Sequence, residues 1–485
     1  MAIAKLFKMD YTLFAENRQK VLNFFHKENM PQHALLFLEG VKQLTRAETD
    51  RDLLARQESK FMYMFGVKEA DCYGMVEVDS GKTTLFIPRL DEAWAIWMGN
   101  VLPPEHFKEL YLVDDCKYSD EIKQYCEAYK PEVIYTTHGQ NSDSDLWSQE
   151  AHFDGIEDYK VDNSHLYEAI AECRVFKSDK EMDVYRYSGI CGAQAHLDMM
   201  NHVKPGMYEF QLEALHKYSG YDKFGSRLSS FVGICGSGRN SSILHYGHAG
   251  APNRRQMQDG EWVLCDMGTE YECFASDITT TFPVNGKYTP EQKDIYNVVL
   301  EMNRSCQKMA KPGVSWVDVH LNANRVGLEG LKKIGIVHGD IEEMMKVNLA
   351  AYFMPHGLGH FMGLDVHDVG GYLHCDERSP LLGLKSLRTR RVLEHRMLIT
   401  VEPGIYFIDV LIKKLKADPE LAKFVDFEVL EKKYYPIGGC RIECDCFITE
   451  NGCEDITPAP RTIEDIEAAC AGKITSVDQI KSFVN

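Results

Sequence analysis

No stretch of this sequence is apolar for long enough to cross a bilayer, which takes about 20 residues as a helix. The opening Met1-Ala-Ile-Ala-Lys-Leu-Phe-Lys-Met-Asp-Tyr has neither a long apolar core nor a small-residue cleavage site. A cytoplasmic location with no membrane contact is therefore the expectation. Positive charge is scarce: 54 Lys and Arg against 73 Asp and Glu leave a net charge of -19. That argues against nucleic acid or an anionic membrane as a partner. A disulfide framework is missing too. The 15 cysteines are odd in number and scattered, as expected of reduced thiols. The glycosylation triplets at Asn240 and Asn303 are then chance matches.

Familiar short motifs fail as well. Gly81-Lys82-Thr83 has valine at position 76, where a phosphate-binding loop needs glycine. Gly236-Ser237-Gly238 has Ser241 in place of a third glycine. His356 and His360 have no glutamate between them, and their glycines oppose the helix of an HExxH zinc pair. Cys440, Cys444 and Cys446 lack CxxC spacing and alternate onto an apolar face, which makes them core thiols.

What is present fits more than one α/β domain. A chain of 485 residues exceeds a single core. Residues 12–30 read as an amphipathic helix, Ala34–Leu38 as a strand, and Cys72–Val78 with Thr83–Pro88 as a hairpin. The domain boundary is expected near 165–180, where Ser178 caps a new helix. A weak echo follows: Lys204-Pro205-Gly206 and Lys311-Pro312-Gly313 each end one helix and precede another. The second copy follows a helix capped by Thr289, Pro290 and Gln292. The echo predicts a duplicated unit whose halves feed one central sheet.

Five residues stand out on apolar or glycine-rich segments. Asp266 and Asp277 are expected on paired strands, joined through Gly268–Glu272. His360 lies among glycines, Glu402 ends an apolar strand before Pro403-Gly404, and Glu443 shares a face with Arg441 and Asp445. Singly, each has an ordinary structural reading: surface aspartates, a tolerated turn histidine, a turn glutamate, a solvated ion pair. Together they are four carboxylates and an imidazole in places where such groups are seldom buried unless paired or on metal. That donor set suits two divalent ions, manganese before zinc. Two such ions, about 3.5–4 Å apart, activate a water for attack.

At these residues the sequence resembles the pita-bread metallopeptidases: methionine aminopeptidase, aminopeptidase P and the prolidases of the eukaryotic cytosol. The resemblance runs from about residue 11 to about residue 472. Its most specific stretches are His245–Asn253, Phe274–Thr279, Met354–Phe361, Asp365–Tyr372 and Val401–Phe407. It implies a creatinase-like N-terminal domain (1–170) followed by a pita-bread catalytic domain (171–485) with pseudo-twofold halves. It implies Asp266, Asp277, His360, Glu402 and Glu443 as metal ligands, with Asp277 and Glu443 bridging. Glu402 would also move protons, and His367 would steady the tetrahedral intermediate. His245, His356 and Arg388 would bind substrate, Arg388 gripping its carboxylate, and Arg441 would orient the ligands. A homodimer is implied, in which Trp97 approaches the partner's site. The competing reading of Trp97 is a core tryptophan.

The activity implied is hydrolysis of Xaa-Pro dipeptides. The alternatives are an aminopeptidase P acting on longer Xaa-Pro peptides and a non-catalytic pita-bread binding protein, which would have lost ligands. Two residues depart from the family's habit: Phe231 replaces a frequent tyrosine, and Thr269 a frequent glycine, which bears on the Asp266–Asp277 turn. Cys265, Cys273, Cys444 and Cys446 neighbour ligands in sequence and are expected to point away from them, leaving oxidation as a route to inactivation.

Overall fold

The computed structural model describes residues 6–27, 30–247 and 253–480, so residues 248–252 of the His245–Asn253 stretch lie outside the described residues. Lys8–Glu181 forms one compact unit and the chain from Met182 on forms another. Residues 171–181, expected with the catalytic domain, pack in the first unit. There the Tyr63 hydroxyl donates to Cys173 O at 3.1 Å and Lys20 pairs with Glu181 at 2.9 Å.

In the first unit, strands β1 (Ala34–Glu39), β2 (Tyr73–Glu77), β3 (Thr83–Ile87), β4 (Asp115–Tyr118), β5 (Val133–Tyr135) and β6 (Val161–Asp162) form a sheet of order β4-β3-β2-β1-β5-β6. The β1/β2 and β2/β3 pairs are antiparallel and the others parallel. Leu35 and Phe37 share a face of β1 and pack with Met75, Phe86 and Ile134. The helix Thr12–Lys27 turns Leu13, Phe14, Val21, Leu22 and Phe25 inward, an i, i+3/i+4 stripe.

The second unit contains the duplication. Helices Asp179–His202 and Pro290–Met309 lead into the two Lys-Pro-Gly turns, where Gly206 (φ 89°) and Gly313 (φ 87°) adopt left-handed backbone. Helices Glu209–Phe224 and Trp316–Lys333 follow. The backbone bonds repeat pair by pair. Gly206 N donates to Met257 O, Met257 N to Met207 O, and Glu209 N to Arg255 O. In the second half Gly313 N donates to Leu393 O, Leu393 N to Val314 O, and Trp316 N to Arg391 O. Asp266 lies nine residues after Met257, and Glu402 nine after Leu393. The weak echo in sequence is thus a structural repeat that sets one acidic residue in each half.

The strands do not merge into one central sheet. β8 (Ile234–Ser237), β9 (Trp262–Asp266) and β12 (Thr279–Pro283) form one, with order β12-β9-β8. β7 (Leu228–Ser229), β10 (Thr269–Tyr271) and β11 (Phe274–Ala275) form another, with order β11-β10-β7. β13 (Leu398–Val401), β16 (Cys444–Ile448) and β17 (Cys453–Asp455) form a third, and β14 (Gly404–Tyr406) pairs with β15 (Gly439–Arg441). Breaks at Ser276–Ile278 and Ile442–Glu443 interrupt the ladders. Single bonds such as Glu443 N to Thr279 O, 3.1 Å, tie the halves together.

The cysteines are free thiols, and Cys440, Cys444 and Cys446 are fully buried. Asn303 is buried and donates to Val401 O at 2.9 Å, so its glycosylation triplet is inaccessible. His196 and His320 are fully buried too, and burial lowers each pKa from 6.5 to about 4. A lowered histidine pKa means that the unfolded chain takes up the proton first as pH falls. Stability is therefore complete above pH 6.5 and is lost toward pH 4. His320→Gln is expected to remove about 3 kcal/mol of that acid sensitivity at pH 4. Urea melts of both proteins at pH 7 and pH 4 measure the difference; equal pH slopes would show that His320 titrates normally.

Candidate metal centre

Asp266 closes β9, opposite Thr279 in the β9/β12 register. Asp277 sits two residues ahead of β12, off the ladder, and its amide donates to Asp445 Oδ2 at 3.0 Å. The expected turn is made differently. β10 and β11 intervene, and Glu272 (φ 50°) and Cys273 (φ 68°) reverse the chain. Thr269 fits the ladder, its amide bonded to the Ser276 hydroxyl and its own hydroxyl donating to Ser188 O. Glycine is not needed there.

His360 is held by backbone. Its amide donates to Thr400 Oγ1 at 3.0 Å and its carbonyl accepts from Thr400 N at 2.9 Å. A Cβ on Gly359 would lie 2.0 Å from Thr400 O, which is why glycine precedes the histidine. His360 Nδ1 donates to Phe361 O at 2.9 Å. That leaves the Nε2 lone pair facing Asp277 Oδ2 at 3.4 Å and Glu402 Oε1 at 3.5 Å. Glu402 follows β13 and its amide donates to Leu358 O. Glu443 accepts from the Thr279 hydroxyl at 2.6 Å. Ligand atoms of Asp277, His360 and Glu443 all lie within 4.8 Å of one another.

The chemistry of this set fits cations. Burial, then the charges of Glu443 and Asp266, push Asp277 well above the usual carboxylate range, and burial, then Glu402 and Asp266, push Glu443 above it. Burial raises Glu402 to about 8, with Asp266 adding to the rise and Arg441 opposing it. Asp266 Oδ1 and Asp277 Oδ1 are buried without a hydrogen-bond partner. Orphaned acceptors and crowded negative charge are what bound divalent ions relieve. Arg441, buried, supplies part of the compensation: it reaches Asp266 Oδ2 at 2.5 Å, the Tyr406 hydroxyl at 2.9 Å and Thr279 Oγ1 at 3.0 Å.

The ligands open into a cavity of about 340 Å³ that also exposes Phe231, His245, His356, His367 and Arg388. The rings of His367 and His360 stand edge to face, 4.5 Å apart. Burial first, then His360 and Arg388, lowers His367 to about 2, so it is a neutral N–H donor. His356 Nδ1 donates to Gly357 O, and its Nε2 accepts from the Tyr406 hydroxyl at 3.0 Å. Burial lowers its pKa to about 3. Every predicted site residue of the second unit is here. Trp97 is not among the lining residues. It is 80% exposed on the short helix Ala95–Met98 of the first unit, which removes the core reading.

Sequence reasoning missed Tyr406, Thr400 and the roles of Thr279 and Asp445. Residues two apart share a face of a strand, which sets Thr279 beside Asp277 and Asp445 beside Glu443 and is the signal for both. Tyr406 showed only as part of the Val401–Phe407 stretch.

Residues 183–450 match metallopeptidase family M24, and residues 14–135 match the aminopeptidase P N-terminal domain. The chain is 49% identical over 466 residues to a Homo sapiens Xaa-Pro dipeptidase, covering 96% of this chain and 94% of that protein. It is 34% identical to a probable Xaa-Pro aminopeptidase of Phaeosphaeria nodorum, covering 93% and 95%. Zinc-substituted E. coli aminopeptidase P in complex with product superposes with a TM-score of 0.77 at 30% identity, over 96% of this chain and all of that one. A five-residue acidic and imidazole cage on a duplicated frame, together with these matches along nearly the whole chain, establishes that this protein belongs to metallopeptidase family M24.

Proposed function

We propose that this chain is a dinuclear Xaa-Pro dipeptidase, with a creatinase-like N-terminal domain followed by the catalytic domain, the boundary falling after Glu181 and not at residue 170. The observation that carries the reading is the convergence of Asp266, Asp277, His360, Glu402 and Glu443 in one cleft with Arg388 at its wall. Asp266, Asp277, His360, Glu402 and Glu443 would together hold two divalent ions. Manganese is favoured by the four carboxylates and single imidazole. Such ions would supply the chemistry of a water activated near neutral pH and of a polarised carbonyl.

The chain's own groups do the rest. Glu402 shuttles the proton from the water toward the proline nitrogen, which leaves as an amine. Neutral His367 donates its N–H to the developing oxyanion. Arg388 holds the free C-terminal carboxylate, with His245 and His356 lining the same cleft. A guanidinium fork fits a carboxylate in two places at once. A longer peptide would put a neutral amide there and lose the charge-assisted pair between guanidinium and carboxylate, which selects dipeptides.

The 49% relative supports a dipeptidase over an aminopeptidase P, whose relatives here reach 34–35%. A complete ligand set counts against a non-catalytic binding protein. Free cysteines support a reducing, cytoplasmic setting; among the described residues, no helix is long and apolar enough to cross a membrane. Trp94, Ile96, Trp97 and Met98 are all exposed, which supports a homodimer that covers them. Gly-Pro hydrolysis is expected to vanish on chelation and to return with Mn²⁺, alongside two ions per chain by elemental analysis. Arg-Pro-Pro is expected to be a poor substrate; its efficient cleavage would sink the dipeptidase reading in favour of aminopeptidase P.

A further inference from the structure

Cys235 on β8 and Cys265 on β9 are directly opposed in the antiparallel register. Their sulfurs are 3.7 Å apart and both residues are fully buried. The Cys235 amide donates to Asn253 Oδ1 instead of to β9, which marks a rung without cross-strand hydrogen bonds. On such rungs the Cα atoms approach to about 4.5 Å, inside the range of about 4.4–6.8 Å that a disulfide spans. The next rung is Ile234 opposite Asp266, and both of those line the metal cleft. Alternation puts the thiols on the far face, where Met267 Sδ lies 3.9 Å from Cys235 Sγ. The hydrolytic mechanism uses neither thiol.

We propose that Cys235 and Cys265 form an oxidative modification site, at which hydrogen peroxide closes a cross-strand disulfide that draws β8 onto β9 and displaces Asp266. The sulfur of one thiol attacks the peroxide O–O bond, forming a sulfenic acid and releasing one water. The sulfur of the other attacks the sulfenic sulfur; the S–S bond forms, the S–O bond breaks and a second water leaves. The two sulfurs give up two electrons and one peroxide is reduced. Burial excludes a bulky oxidant such as glutathione disulfide. Burial, with the neighbouring Cys265 thiol, also keeps Cys235 protonated, so the closure is slow. The site answers to sustained exposure to a molecule little larger than water.

The test exposes the metal-loaded full chain to hydrogen peroxide, or to glutathione disulfide, then unfolds it in an alkylating reagent for peptide mapping. With peroxide the expected result is a linked Cys235–Cys265 peptide whose appearance tracks loss of bound metal and a fall in hydrolysis of about tenfold or more. Glutathione disulfide is expected to give neither. Cys265→Ala, or Cys235→Ser if that variant does not fold, is expected to keep its metal through the same exposure. Alkylation of both residues in peroxide-inactivated protein overturns the proposal. So does a linked peptide with metal and activity intact, or equal sensitivity of the variant. The linked-peptide and metal readouts hold whatever the substrate proves to be.

Discussion

Asp277→Asn is expected to cut Gly-Pro hydrolysis on the order of 10³-fold, well beyond the 10–100-fold typical of losing a residue behind a ligand. The amide keeps the shape of the carboxylate and leaves the backbone bond from Asp277 N to Asp445 intact. It loses the charge and one of the two oxygens that would hold metal. The same substitution is expected to leave the metal-free protein at least as stable as the parent. Without cations Asp277 is a buried carboxyl among Glu443, Asp266, Asp445 and Glu402, and its ionisation opposes folding. Glu402 adds to this. Its pKa rises from 4.5 to about 8 on folding, so the folded state keeps a proton that the unfolded chain releases. The metal-free protein therefore loses stability as pH climbs from about 4.5 to about 8. Melting curves with chelator and with added Mn²⁺, at pH 6 and pH 8, separate the two effects. The parent should gain stability from metal and the variant should not. A variant that retains parental activity would remove Asp277 from the ligand set.

The separation of stability from function explains why the site was legible in the sequence at all. Carboxylates that oppose folding stand out on segments otherwise built to fold, and Asp277, Glu402 and Glu443 are such residues. Alternation on Arg441 and Glu443 points to the cleft that both line, although Glu443 itself has left the ladder. What local rules do not dictate was misread. The chain breaks the ladder at Ser276–Ile278 and Ile442–Glu443, so one sheet became several. Those breaks free Asp277 and Glu443 from strand register and turn them toward His360. Nothing in the sequence of either segment marks them as irregular; the contact between halves does, through bonds such as Glu443 N to Thr279 O. Trp97 was undecided for the opposite reason: composition does not tell an exposed tryptophan from a buried one. The Lys-Pro-Gly echo is weak in sequence and strong in structure. Helix-stop chemistry is common, and only the paired bonds of Gly206 with Met257 and Gly313 with Leu393 make it a repeat.

Arg441→Met is expected to cost roughly 3–5 kcal/mol of stability, the range for removing one partner of a buried ion pair, and to lower kcat about 10–100-fold. The guanidinium serves three acceptors in one plane: Asp266 Oδ2, the Tyr406 hydroxyl and Thr279 Oγ1. Thr279 in turn donates to Glu443, and Tyr406 to His356. One side chain thus sets the direction of a carboxylate from each half and of a cleft-lining imidazole. Arg441→Lys keeps the charge and loses the fork. If charge is what matters, lysine restores most of the rate. If orientation matters, lysine restores stability and leaves kcat low. The second outcome is expected, because Asp266 with its other oxygen unpartnered has no further protein group to aim it. Chemical unfolding of the metal-free proteins gives the stability term, and saturation kinetics with measured metal occupancy gives kcat apart from metal loss. Parental kcat in fully loaded Arg441→Met would mean that the ions alone orient Asp266 and Glu443, and that the guanidinium serves folding only.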